Sequence, residues 1–230
     1  MSIGGPIWSD HFRRRAVPQV RILLSTLRDR VLPIFANIEQ EANDYGEQVF
    51  QELGNQPSYD DSVDIGDLAE IAQDRGLARY EALAGVRQAI INALTVSLHH
   101  VVEQELLYFL RRHVLTPLEE PDLSLAKLAV LSSRLRAKGL DIERIDGWQT
   151  LKELGLVANT IKHAEGRSAE ELKPIRPDLF VPPELRATRF AKSATGSVYC
   201  PAAGDDLLVS LADFEVYAAA AERFLLLILA

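Results

Sequence analysis

LAEIAQDRGLARYEALAGVRQAIINALTVSLHHVVEQELLYFLRRHV, Leu68–Val114, decides the fold class. The stretch holds no proline, and its apolar residues recur at helical spacing. It reads as a helix over 65–115, or as a pair of helices interrupted at Gly76 or Gly85, and Pro117 and Pro121 stop it. Upstream, Val20, Leu23, Leu24, Leu27, Val31, Ile34, Phe35 and Ile38 share the same periodicity. They predict one long helix over 18–53, kinked at Pro33, where a backbone donor is lost. Gly54 and Pro57 end that segment.

Downstream, shorter helices are predicted over 125–138, closed by Gly139, and over 147–164, with Asp146 as N-cap and Gly166 as the stop. Ser168 with Glu171 has capping-box spacing and starts a further helical turn. Five of the 11 prolines fall within 174–206, so this region reads as a loop wrapped on the bundle. A short β-hairpin is expected around Arg189–Cys200, and a short strand at Leu207–Ser210. Ser210 then caps a last helix over 211–229. The expected fold is a single all-α domain, an up-and-down helical bundle with a proline-rich loop. Phe224–Leu229 is apolar on every face, so the last helix either runs through the bundle centre or completes a dimer interface.

Composition bounds the function. The chain has 230 residues, enough to bury a core without disulfides or a structural metal. Its net charge of -8 argues against coating duplex DNA by charge alone. A single cysteine, Cys200, excludes a disulfide framework and a CxxC metal site, and nothing in its sequence neighbourhood marks it as a nucleophile. No phosphate loop, GxGxxG, HExxH or GxSxG occurs, so no cofactor is expected. The opening MSIGGPIWSDHFRRRAVPQV carries three arginines but no apolar core of signal-peptide length. Neither there nor in FLLLILA is there a membrane span, so a cytoplasmic location is expected.

Two constellations carry candidate chemistry. In LKELGLVANTIKH, Leu151, Leu154, Ala158 and Ile161 share the face that meets the core, while Asn159 and His163 stack four apart on another. A polar pair on a second face suits a cleft or a subunit seam. A histidine at a helix C-terminus also complements the helix dipole. In SLHHVVEQELLYFLRRH, His99 and Glu103 are four apart, and His100 and Glu103 three apart. Three readings stay open there: a buried polar network fixing helix register, Glu103 orienting an imidazole of the neighbouring helix, or zinc held by His99, Glu103 and His163. Arg111 and Arg112 at the end of the long helix suit either phosphate contact or the helix dipole. Arg13–Arg15 read as a solvated flank, and Asp60, Asp61, Asp64 and Asp67 as capping residues before a helix start.

ANTIKH, Ala158–His163, resembles the signature helix of the HEPN superfamily, whose pattern is Arg, four to six residues, then His, often with Asn directly after the Arg. Leu151–Phe180, with its IKH turn and RPDLF, is similar more closely to a group of bacterial helical proteins carrying an AN-x-IKH…RPDLF block. The HEPN resemblance implies an all-α bundle that dimerises. It also implies metal-independent ribonuclease chemistry in toxin–antitoxin or defence systems, with His and Arg meeting at a composite cleft across the dimer. Asn159 and His163 match, but Ala158 stands in the Arg position, and alanine supplies no guanidinium for a phosphate. Arg111, Arg112, Lys162 and Arg167 are the cations available for RNA or nucleotide contact. Two functions therefore compete: an RNA-directed HEPN-like homodimer acting through His163, Asn159 and Glu103, and a non-catalytic helical interaction module, an antitoxin or adaptor with a protein partner.

Overall fold

The computed structural model describes residues 10–55, 64–113, 115–119, 121–122, 124, 128–182, 185–188 and 197–228. Among them every regular element is helical, as the periodicity predicts. None of these helices is long and apolar enough to cross a membrane.

The expected helix over 18–53 is divided in two by its prolines. α1 is Val17–Thr26 and α2 is Ile38–Gly54. Two wide π turns, Phe12–Ala16 and Leu27–Val31, flank α1, and each ends two residues before a proline. The Val17 N–H donates to the Phe12 carbonyl just before Pro18, and the Leu32 N–H to the Leu27 carbonyl just before Pro33. Proline has no N–H to give, and its ring crowds the carbonyl four residues back. Widening the turn by one residue relieves both problems. Around Pro33 the chain tightens into a 3-10 turn, Leu32–Phe35, and it leaves helical geometry at Asn37.

α3, Ile65–His113, is one unbroken helix of 49 residues, about 73 Å long. Gly76 and Gly85 are contact points rather than breaks. An ideal Cβ on Gly76 would lie 3.0 Å from the Ala42 carbonyl oxygen, and one on Gly46 would lie 3.1 Å from that of Ala72. Here α2 and α3 approach closely as an antiparallel pair. Gly85 receives the loop at Gly204, where any side chain would fall on the Gly85 carbonyl and φ is +100°.

α4 is Leu128–Ala137, α5 Trp148–His163, α6 Arg167–Leu172 and α7 Leu211–Leu227. The core lies where α1, the second half of α3, α5 and α7 meet. Phe12, Leu98, Leu106, Phe109, Leu154, Phe214 and Phe224 are fully enclosed there. α7 does not thread the bundle centre: Phe214, Tyr217 and Phe224 are buried, but Val216, Leu226 and Leu227 face outward.

The caps differ in part from expectation. Ser210 forms a full capping box with Asp213, as predicted. Gly147, not Asp146, is the N-cap of α5, and Asp146 pairs with Arg223 at 3.2 Å. Gly166 precedes α6 without a side-chain cap, so Ser168 lies inside the helix, which an Arg167–Glu171 pair at 2.6 Å supports instead.

The proline-rich region forms 3-10 turns at Pro177–Phe180 and Pro201–Ala203. Most of the expected hairpin lies outside the described residues. The expected strand at Leu207–Ser210 joins no ladder. Side chains take up its carbonyls instead. Asn92 Nδ2 donates to Leu207 (2.9 Å) and also to Pro201 (2.7 Å), Arg186 Nη2 donates to Leu208 (3.0 Å), and Gln88 Nε2 donates to Val209 (2.9 Å). A strand whose carbonyls are satisfied this way needs no partner strand.

Candidate functional site

α5 presents its predicted face to the core: Leu151, Leu154, Ala158 and Ile161 are all buried. It meets α3 at Gly155, where the missing side chain leaves room for His99, whose Cε1 would lie 3.4 Å from a Cβ placed there. The His99 side chain is 9% exposed in its residue surface. Burial lowers its pKa, and His100 and Lys162 add to that, against the opposing pull of Glu103. His99 is therefore neutral at pH 7.

Glu103 touches imidazoles, but those of its own helix. Its Oε2 lies 3.3 Å from His100 Nδ1 and 3.9 Å from His99 Nε2. His163, which Glu103 was expected to serve, is exposed at the end of α5. No hydrogen bond or ion pair holds His163 to any described residue. Asn159 is half-buried and Ala158, in the Arg position, is completely enclosed. No group of three or more His, Cys, Asp or Glu side chains with metal-holding geometry occurs among the described residues.

The four candidate cations do not gather. Lys162 lies near His99, whereas Arg111 and Arg112 follow His99 by twelve and thirteen residues on the same helix, about 18–20 Å away. Arg112 lies 5.5 Å from the centre of the Tyr108 ring, and Arg167 is held by Glu171. In the N-terminal arginine run, Arg14 pairs with Asp10 (2.7 Å), while Arg15 (3.6 Å) and His11 (2.7 Å) reach the buried Glu105. Asp64 accepts the Gly66 N–H at 2.8 Å before α3, the capping role its position predicts.

The RPDLF segment holds a polar centre that spacing did not reveal. All five N–H groups of Arg176 are used. Nε and Nη2 grip Asp178 at 2.9 and 2.7 Å, Nη2 also reaches Asp213 at 2.6 Å, and Nη1 donates to Glu153 at 2.6 Å and to the Tyr217 hydroxyl at 3.1 Å. Tyr217 in turn donates to Glu153 at 2.7 Å. The Arg176 hydrogen bonds hold the Asp178 carboxyl below its usual range. Burial would raise Asp213, but Ser210 and Arg176 together outweigh it and lower its pKa. Burial, then Glu153, pushes the Tyr217 hydroxyl up. The centre fastens α5, the proline-rich segment and α7 together. With every donor satisfied, Arg176 has none left for a phosphate.

An open surface lies on the α2–α3 pair. A groove of about 720 Å³ runs along it. Glu39, Ala42, Asn43, Gly46, Glu47 and Phe50 of α2 line one side, and Ala69, Ala72, Gln73, Gly76, Leu77 and Tyr80 of α3 the other. Both sets advance by the same steps of three and one, a stripe along one helical face. Phe50 is 37% and Leu77 55% exposed. The opposite side of the pair is closed by an Arg79–Glu41 ion pair and by Arg79 over the Tyr45 ring.

Charge is segregated onto the same arm. The described residues of the arm, 38–55 and 64–87, contain ten Asp and Glu against three Arg, a net of -7, and Asp60 and Asp61 lie outside the described residues. The rest of the chain holds 23 acidic against 22 basic residues. The signal was present in the sequence as a segment-by-segment charge tally, but the groove required the register of two helices. Comparison with protein-family models, curated proteins and solved structures finds no match to this chain.

Proposed function

We propose that this chain is a non-catalytic helical interaction module, an adaptor or antitoxin-type protein, whose contact surface is the α2–α3 arm. One observation carries the reading: an apolar groove and most of the chain's acidic excess coincide on a helix pair that lies outside the main core. Acidic excess sets association rates and partner choice rather than fold. Exposed Phe50 and Leu77 supply the apolar area that specific contact needs. The polar centres elsewhere support the reading too, because Arg176 and Asn92 spend their hydrogen bonds on holding the fold.

A photo-crosslinking amino acid at position 50 or 77 is expected to give a discrete protein adduct in cells, and one at the exposed Arg144 is not. Equal adducts at all three positions would mean that the arm is not the contact surface.

A second reading, the RNA-directed homodimer implied by the HEPN resemblance, is favoured by one observation. Lys162 and His163 are both exposed at the end of α5, the helix that meets α3 at His99. Two copies facing each other there would bring two imidazoles and two cations together. Its test is degradation of a mixed RNA pool by the purified chain and by His163→Ala. Degradation that depends on His163 supports it, and an intact pool removes it.

A further inference from the structure

We infer that the groove of the α2–α3 arm receives a basic amphipathic helix of a partner protein, which docks as the third helix of a bundle. The inference rests on the arm being the contact surface and names what it contacts. The groove follows one stripe of each helix over eleven residue steps, about 16 Å or three turns. Two antiparallel helices with matching stripes leave between them the trough into which the apolar ridge of a third helix fits. Gly46 and Gly76 draw the two backbones together, so the trough has a small-residue floor with Phe50, Leu77 and Tyr80 standing along it.

Charge selects the occupant. Glu39 and Glu47 line the groove, and no Lys or Arg does. A second copy of this chain would set one arm of net -7 against another. A helix with Lys and Arg flanking its apolar stripe meets both the floor and the rim, and like-charge contact excludes acidic partners.

The test uses the full chain and two labelled peptides of roughly 18 residues, both with leucines at the stripe spacing, one with Lys and one with Glu at the remaining positions. Fluorescence anisotropy at about 150 mM salt is expected to show the Lys peptide binding about tenfold or more tightly than the Glu peptide. The decisive variant is Phe50→Glu with Leu77→Glu. It adds two negative charges, so attraction by charge alone would strengthen, whereas docking in the groove would weaken by about tenfold or more. Glu39→Lys with Glu47→Lys is expected to narrow the preference for the Lys peptide.

Undiminished binding of the Lys peptide to the Phe50→Glu, Leu77→Glu variant overturns the inference, as does equal binding of the two peptides. A dimer in sedimentation equilibrium that this variant abolishes also overturns it, because the groove then takes a second copy, yet the arm remains a contact surface. Failure of both peptides to bind a monomeric chain overturns it as well. In that case the crosslinks at positions 50 and 77 separately decide whether the arm reading stands.

Discussion

At the residue scale, the side chains that matter most to the fold were hard to read from spacing. Arg176, Asp213, Glu153 and Tyr217 come from three distant segments, and only the folded chain brings them together. One guanidinium there faces three carboxylates, so its loss leaves enclosed negative charge without a partner. Arg176→Met is expected to destabilise the chain by roughly 2–4 kcal/mol in urea denaturation. A change below about 0.5 kcal/mol would show that solvent already screens the cluster. His99 was legible as a polar group on the long helix but not as one whose burial suppresses its charge. Its pKa is lowered from 6.5, chiefly by burial. The unfolded chain therefore binds this proton at a higher pH than the folded one does. Stability from this group is full above pH 6.5 and falls as the pH drops below it, by at most about 1.4 kcal/mol per pH unit for one proton. His99→Gln is expected to flatten that loss between about pH 6.5 and 5.5. An unchanged slope would place the titrating group elsewhere.

At the element scale, the sequence showed where helices occur better than how they are joined. Apolar periodicity located α3, α5 and α7 closely, because α5, α7 and the second half of α3 each bury a face. It ran through Pro33 because the apolar stripe continues on both sides, although the backbone turns there. It also suggested a strand at Leu207–Ser210, where alternating burial is real but side-chain amides replace a neighbouring strand. Gly76 looked like an interruption and is instead half of a close helix contact with Gly46. Gly46→Val places branched carbon against the Ala72 carbonyl, and overpacking of this kind costs roughly 1–3 kcal/mol. Because α2 packs chiefly on α3, the effect should stay local. Hydrogen exchange is expected to quicken across 38–54 and 65–84 and to stay unchanged across 98–109. Equal quickening in both regions would mean that the arm and the core unfold as one unit.

At the scale of the whole molecule, the formal charge of -8 is not a property spread over the surface. An arm of net -7 stands on a body that is nearly neutral. The arm also has the thinner core: in residues 65–90 only Ala72 and Gly76 are buried, whereas Ile91, Leu98, Val102, Leu106 and Phe109 are buried further along α3. Self-repulsion therefore acts where packing is weakest. Raising ionic strength from about 10 to 300 mM shortens the Debye length from about 30 Å to below 8 Å, screening carboxylates on neighbouring turns and across the helix pair. Exchange protection in 38–54 is expected to rise severalfold over that range, while protection in 98–109 holds steady. Uniform change in both regions would indicate a general salt effect. Binding of a basic helix adds a further consequence. The bound cations would neutralise the same carboxylates, so the arm in the complex should already be protected at low salt and gain little from more. The reversal follows from charge placement: salt strengthens the free arm by weakening repulsion, and weakens the complex by screening attraction.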